Sequence, residues 1–195
     1  PGTSMASDAG LAPVMGKRDY RRAAQMIKAA GYRGEKVVLL AAEDYQTHKA
    51  VGPVAADAMQ RAGLNVDYVV TDWSSLLARR AKKDPVDKGG WSIFHTTGSA
   101  PGYSNPAVSA LLRGQGAKGW FGWWDSAQVE AMTEEWVNAA DAATRTRLAE
   151  AIGNLALDEV ATIPLGMFYT KTAFRTGLTG MLEGPAPYPW GLRRV

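Results

Sequence analysis

The sequence predicts an α/β fold in which an open, mainly parallel sheet is flanked by helices. Between residues 19 and 96, short apolar runs typical of buried strands alternate with stretches whose apolar residues recur at helical spacing. The order strand, helix, strand, helix, strand is typical of parallel strands joined by right-handed crossovers. The 195 residues are 46% hydrophobic and 21% charged, which is the composition of a folded protein and excludes a disordered chain.

The first elements follow from periodicity and from the residues that begin and end them. A helix is predicted over 19–30, because its apolar residues share one face and Gly31 follows as a stop signal. The apolar run 36–42 is interpreted as a buried strand. A second helix is predicted over 53–62, with Pro53 in the first turn, where no amide donor is needed.

Three further elements complete the predicted sheet. Residues 65–71 and 91–96 are predicted strands, and Asp72 is placed to cap a helix over 74–83 between them. Basic residues end this helix, where cations interact favourably with the helix dipole. The net charge is only +3, and no nucleic-acid-binding motif accompanies these cations, so we expect no nucleic-acid partner.

The second half of the chain opens with a long connection, 97–124, rich in glycine, proline and aromatic residues. Connections of this length without regular structure are usually functional. Two helices follow, one beginning at Asp125 and one capped by Asp141. The remaining segments are two predicted strands and an irregular tail, at 162–168, 172–176 and 184–190.

Signatures of catalysis and of metal binding are missing from the sequence. It has no cysteine, and its two histidines, His48 and His95, lie in no metal-ligand spacing. Residues 114–119 match G-x-G-x-x-G but lack the preceding strand and following helix of a dinucleotide site. We interpret them as a flexible loop, and we expect neither an enzyme nor a cofactor or metal.

The most informative motif is the aromatic cluster W-F-G-W-W at 120–124. Its spacing matches neither the alternation of a strand nor the stripe of a helix. Flat rings in a loop provide a stacking surface for a ligand at low entropic cost, and the same rings can also cap the edge of a sheet. Trp73 and Trp91, at the boundaries of predicted elements, are expected to belong to the core.

Short stretches that cover nearly the whole chain carry a family resemblance. They are A-x-x-I-x-x-A-G-Y-x-G-E-K-V at 24–37, D-W at 72–73, P-V-D-K-G-G-W at 85–91, W-F-G-W at 120–123, I-P-L-G at 163–166, T-A-F-R at 172–175 and L-T-G-M at 178–181. In this order they resemble the C-terminal portion of the family 5 extracellular solute-binding proteins, the peptide/nickel type that serves ABC importers.

The resemblance implies one lobe of a two-lobed binding protein. It implies that 1–16 is an entry segment at the hinge and that 17–167 forms most of a C-terminal lobe with a periplasmic-binding-protein-like fold. Residues 168–195 would return to an N-terminal lobe that this chain lacks. The implied partners are a small solute or peptide, the ABC permease subunits and the missing lobe. The implied location is periplasmic or extracellular at the membrane, with a signal peptide in the missing part.

Ligand residues are expected where loops leave the carboxyl ends of the strands, by the crevice rule for open α/β sheets. The long connection and the aromatic cluster supply the other candidates. The predicted ligand-binding residues are Asp44, Tyr45, His95, Thr96, Thr97, Asn105, Phe121, Trp123, Trp124 and Asp125.

One position departs from the family pattern. Dipeptide-binding members carry an acidic residue in an Asp-Pro setting of the long connection, where it pairs with the α-amino group of the peptide. This chain has Asn105-Pro106 instead. An amide cannot offset a buried ammonium, so we expect a solute other than a plain dipeptide, or an amine anchor elsewhere, such as Asp125.

Two other functions are compatible with the sequence. One is a hydrolase or transferase domain that uses His95 or Asp125, and a buried His95 without a carboxylate would argue against it. The other is a protein-interaction module that uses the cluster at 120–124, and a concave surface there would argue against it.

Overall fold

The computed structural model describes residues 5, 7–184 and 187–195, which divide into two compact units. One unit is Met15–Thr97, and the other joins the residues up to Val14 with Gly98–Val195. None of the described helices is long and apolar enough to cross a membrane.

The unit Met15–Thr97 contains the predicted parallel sheet. Its elements are α1 (Tyr20–Ala29), β1 (Lys36–Ala42), α2 (Gln46–Lys49), α3 (Val51–Arg61), β2 (Asn65–Thr71), α4 (Trp73–Arg80) and β3 (Ile93–Phe94). The central strand β1 is parallel to β2 on one side and to β3 on the other. Because helices cover such a sheet, the central strand is a continuous apolar run, and residues 38–42 are all buried. The prediction of a mainly parallel sheet is confirmed.

The core of this unit lies between β1 and α4. Val38, Leu40 and Ala42 are buried against Leu76 of α4, and Trp73 and Trp91 pack around them half-buried. The core assignment of these two tryptophans is therefore confirmed. Asp72 caps α4 as predicted, because its Oδ1 accepts a hydrogen bond of 2.9 Å from the backbone N of Ser75.

Helix α3 approaches the sheet closely at Gly52. A Cβ atom there would lie 2.6 Å from the hydroxyl of Tyr68 and 3.1 Å from the Cβ of Ala41, so any larger residue would have to displace the Tyr68 ring. Two details differ from the prediction. The short helix α2 was not predicted, and β3 is limited to Ile93–Phe94 instead of the predicted 91–96.

The second unit is built on a helix pair. Its elements are α5 (Ala127–Asn138), α6 (Ala142–Asp158), β4 (Leu178–Thr179) and β5 (Arg193–Arg194). The helices pack together, and Val129, Leu148 and Ile152 are fully buried. Asp141 caps α6 as predicted, since its Oδ1 accepts from the backbone N of Thr144 at 2.8 Å. The predicted long connection contains three short 3-10 turns, 100–103, 110–112 and 116–118.

Asp125 does not begin α5, so that prediction is wrong. The helix starts at Ala127, with Ser126 as its N-cap. Asp125 instead forms an antiparallel bridge with Gln115, and the backbone N of Ser126 donates to the carbonyl of Gly114 at 3.1 Å. This extended pairing keeps Asp125 and Ser126 out of the helix.

The predicted strands at 162–168 and 172–176 do not form. Residues 162–174 make no backbone hydrogen bond within the described part of the chain. The pairing that does form is antiparallel, between β4 and β5, with an isolated bridge from Leu182 to Tyr188. The tail predicted to be irregular thus takes part in a hairpin-like arrangement, although residues 185–186 lie outside the described residues.

Candidate functional site

The carboxyl ends of the three parallel strands meet at one edge of the sheet in the unit Met15–Thr97. Ala42 at the end of β1 pairs with Thr71 at the end of β2, and Leu40 pairs with Phe94 of β3. The residues that follow the strands therefore come together at this edge. Asp44 and Tyr45 follow β1, Trp73 follows β2, and His95 follows β3.

Tyr45 and Trp73 form an aromatic pair at this edge. Their ring centroids are 4.9 Å apart and their planes differ by 16°, which is stacked geometry. The Oδ1 of Asp44 accepts a hydrogen bond of 2.8 Å from the backbone N of Trp73, which ties the loop after β1 to the start of α4. Tyr45 is 39% exposed, so the pair offers an aromatic face to solvent.

His48 contacts both rings of the aromatic pair, and the sequence analysis missed this contact. It is only 3% exposed, and its ring meets Tyr45 at 4.6 Å and Trp73 at 4.9 Å, edge-on to both. Neither ring nitrogen has a hydrogen-bond partner among the described residues. Burial lowers the pKa of His48, so the ring is held neutral. The sequence held one signal for this contact: His48 lies three residues after Tyr45, and residues three apart on a helical turn are neighbours.

His95 is also buried, at 9% exposure, and its Nδ1 has no hydrogen-bond partner among the described residues. Burial lowers the pKa of His95, and the nearby imidazole of His48 lowers it further. No described carboxylate binds the ring, so the observation that would support a hydrolase or transferase centred on His95 is lacking. Thr96 and Thr97 follow it, both half-buried.

Two surface hollows of the described residues lie elsewhere. One of about 400 Å³ is lined by residues of α4, by Lys82 and by Gly89. Another of about 280 Å³ lies between α1 and α3. Neither is lined by a predicted ligand residue, and both are shallow, so we do not assign function to them.

The remaining predicted residues lie in the other unit, and Asn105 is the first of them. Its Oδ1 accepts from the backbone N of Ala107 at 3.1 Å and of Val108 at 3.3 Å. Its carbonyl accepts from the backbone N of Ser109 at 3.1 Å. The half-buried side chain therefore shapes its own turn, as asparagine commonly does.

The aromatic cluster at 120–124 is held in place by hydrogen bonds. The indole Nε1 of Trp124 donates to the Oε2 of Glu159 at 2.7 Å, and its carbonyl accepts from the backbone N of Gly116 at 2.8 Å. Trp120 and Phe121 meet edge-to-face at 5.2 Å. All four rings are half-buried, including the predicted ligand residues Phe121, Trp123 and Trp124.

The flexible-loop interpretation of 114–119 is wrong. A Cβ atom on Gly114 would lie 2.5 Å from the carbonyl oxygen of Ser126, so the glycine permits a close backbone contact. Glu130 reinforces this contact. It accepts from the backbone N of Gly114 at 2.8 Å and from the Nε of Arg113 at 2.9 Å. The hydrogen bond from Arg113 is the main cause of the lowered pKa of Glu130.

The predicted ligand residues thus fall into two groups. Asp44, Tyr45, His95, Thr96 and Thr97 belong to the unit Met15–Thr97, while Asn105, Phe121, Trp123, Trp124 and Asp125 belong to the other unit. Within the part of the chain that the structure describes, no three His, Asp or Glu side chains are grouped to hold a metal ion.

Solved structures with a similar fold include substrate-binding proteins, among them one of an ABC transporter. One from Listeria monocytogenes matches with a TM-score of 0.64 at 16% identity, over 82% of this chain and 31% of that chain. A substrate-binding protein from Microbacterium hydrocarbonoxydans, complexed with 4-hydroxybenzoate hydrazide, matches with a TM-score of 0.60 at 16% identity. That match covers 97% of this chain and 40% of the other. The fold is therefore that of a periplasmic-binding-protein-like lobe.

A sequence relative supports the resemblance. The chain is 34% identical over 177 residues to a probable peptide ABC transporter periplasmic-binding protein of Sinorhizobium fredii. The match covers 91% of this chain but 33% of the relative, so the chain spans about a third of its length. No family model matches the chain. The predicted resemblance to the peptide-type solute-binding proteins of ABC transporters is confirmed.

Proposed function

We propose that this chain is the C-terminal part of the solute-binding component of an ABC importer. It captures a small, peptide-like solute and delivers it to a membrane permease, without chemical conversion. The stacked pair Tyr45–Trp73 carries this proposal, because it presents an exposed aromatic face at the carboxyl edge of a parallel sheet. Ligands of open α/β sheets bind at that edge. The protein would work outside the cytoplasm, in the periplasm or at the outer face of the membrane.

The exposed segment 162–174 is an argument for a partner lobe. Their backbone groups make no hydrogen bond within the described part of the chain, and Ile163, Leu165 and Tyr169 are 63%, 65% and 84% exposed. Such a segment lacks the pairing that a strand requires. We propose that it pairs with the part of the full-length protein beyond this chain, and that solute capture closes the two lobes by hinge motion.

We propose that the solute places no free α-ammonium group next to Asn105. The Oδ1 of Asn105 already accepts two backbone hydrogen bonds, and the side chain carries no charge to offset a buried cation. An N-blocked or otherwise modified peptide, or a small aromatic acid derivative, satisfies this requirement.

The test is to identify the solute of the full-length protein. Native mass spectrometry of material purified without denaturant should reveal a copurified small molecule. A thermal-shift panel of dipeptides, their N-acetylated forms, metal chelates and an aromatic acid hydrazide should then give a larger shift for N-acetylated than for free dipeptides. Absence of both a copurified solute and any thermal shift would contradict the proposal.

A matched pair of variants locates the site. Tyr45→Ala removes half of the stacked pair and should weaken solute binding roughly tenfold, the magnitude of one good aromatic contact. Tyr20→Ala makes the same change on α1, away from the carboxyl edge, and should leave affinity unchanged. Equal losses in the two variants would move the site away from Tyr45.

A further inference from the structure

Within the described part of the chain, two residues other than glycine have a positive φ. They are Trp123, at 54°, and Val160, at 55°. Side chains with a Cβ disfavour this left-handed region, and a β-branched residue there is an outlier. Backbone of this kind persists only where surrounding contacts hold it, and it clusters at functional positions.

Val160 occupies the position where helices usually place glycine. The backbone N of Val160 donates to the carbonyl of Leu157 at 3.3 Å, and that of Ala161 donates to Ala156 at 2.9 Å. These two bonds form a Schellman motif at the end of α6, whose left-handed residue is commonly glycine. The side chain of Val160 is 61% exposed, so its burial does not compensate for the strain.

The sequence neighbours of the two strained residues are bonded to each other. Trp124 follows Trp123, Glu159 precedes Val160, and the indole Nε1 of Trp124 donates to the Oε2 of Glu159 at 2.7 Å. A hydrogen bond to a carboxylate is stronger than one between neutral groups. Glu159 is also the C-cap of α6, with its backbone N bonded to the carbonyl of Leu155 at 2.9 Å.

We propose that Glu159 is a positioning residue for the aromatic cluster at 120–124. Its hydrogen bond to Trp124, called the clasp below, fixes the cluster against the end of α6 and holds both Trp123 and Val160 in the left-handed region. The clasp therefore ties the cluster to the point where the chain leaves α6 for residues 162–174. The expectation that the cluster contacts solute rests on the proposed function, whereas the clasp itself does not.

A double-mutant cycle on thermal stability tests the clasp in the full-length protein without any solute. Val160→Gly relieves the left-handed strain and should raise Tm by about 1 °C, the shift expected for about 1 kcal/mol in a protein about three times as long as this chain, the length of its relative. In a Glu159→Ala background only the backbone bonds of the Schellman motif hold Val160 there, so the same substitution should raise Tm by less than half as much. The unfolded-state entropy of the added glycine is equal in both backgrounds and cancels in the cycle. Equal gains in the two backgrounds would overturn the proposal.

Fluorine NMR gives a second measurement, the chemical shift of a labelled tryptophan, which general destabilisation of the fold does not change. Protein labelled with 5-fluorotryptophan carries probes at seven tryptophans of this chain, and Trp124→Phe assigns the resonance of Trp124. Glu159→Ala should shift this resonance, and Glu159→Gln, which keeps an acceptor oxygen, should leave it near its original position. Glu134→Ala, an exposed glutamate on α5, is the control and should leave it unchanged. An equal shift in the Gln and Ala variants, or in the control, would overturn the assignment.

Discussion

Among single residues, His48 and His95 are unusual because both imidazoles are buried and lack complete hydrogen bonding. Burial lowers the pKa of each ring below its ordinary value of 6.5, and the proximity of the two rings lowers that of His95 further. A neutral histidine packs well against aromatic rings, as His48 does against Tyr45 and Trp73. Protonation of either ring would place an unpaired charge in the core.

This arrangement predicts that the folded state loses stability as the pH falls below about 6.5. Above that value both the folded and the unfolded chains carry neutral histidines, and the stability is fully present. Below it the unfolded chain takes up protons first, so the free energy of unfolding declines. The decline is at most about 1.4 kcal/mol per pH unit for each ring, and it ends when the pH passes the lowered pKa values of the folded state. Urea unfolding between pH 7.5 and 5.5 measures this slope.

The control for the pH effect is His48→Phe, which keeps a ring between Tyr45 and Trp73 but removes one titrating group. Its stability should fall less steeply with pH than that of the unmodified chain. An identical slope in both proteins would show that His48 does not titrate as expected.

Among the elements, the start of α5 depends on the ion pair between Arg113 and Glu130. The carboxylate of Glu130 binds both the guanidinium of Arg113 and the backbone N of Gly114, with the two side chains 27% and 28% exposed. Glu130→Gln leaves these partners incompletely satisfied, so we expect a loss of about 1–3 kcal/mol in the free energy of unfolding. Urea denaturation measures the loss.

The same helix provides the control. Glu135 pairs with Arg147 at 3.4 Å on the surface, with the two side chains 58% and 65% exposed. Solvent-exposed pairs contribute little, so Glu135→Gln should cost no more than about 0.5 kcal/mol. If the two variants lose equal stability, Glu130 has no special role at the start of α5.

The elements best predicted from the sequence are those whose signals are local. The strands 36–42 and 65–71 have the predicted bounds, and Asp72 and Asp141 cap helices as their positions suggested. Asp125 was equally well placed to cap α5, but its pairing with Gln115 across a turn prevailed. A sequence read locally does not reveal this competition.

The candidate site was predictable only in part, for the same physical reason. The crevice rule led to Tyr45 because strand ends can be read from the sequence. The contacts that position the aromatic groups join distant residues, such as Trp124 with Glu159, or a buried histidine with two rings. Such partners emerge only when the chain is folded.

For the whole molecule, the decisive feature is the segment 162–174, which makes no backbone hydrogen bond within the described part of the chain. Apolar side chains recur at every second position in Ile163, Leu165, Met167 and Tyr169, which is the period of a strand, yet all four are exposed. The failure of the strand prediction at 162–168 therefore has a physical explanation, since a single strand is not stable without a neighbour.

In the full-length protein we expect these residues to pair with a strand outside this chain. Backbone amides of 163–169 should then exchange with deuterium much more slowly than those of an unstructured peptide, because exchange requires opening of their hydrogen bonds. Leu165→Lys should lower the stability of the full-length protein by about 2 kcal/mol or more, since it places a charge where an apolar side chain is buried. Val137→Lys, on the exposed face of α5, is the matched control and should have little effect. The contrary outcome is fast exchange at 163–169 together with equal losses of stability in the two lysine variants. The segment would then stay exposed in the complete protein, and the incomplete hydrogen bonding of 162–174 would not mark an interface between lobes.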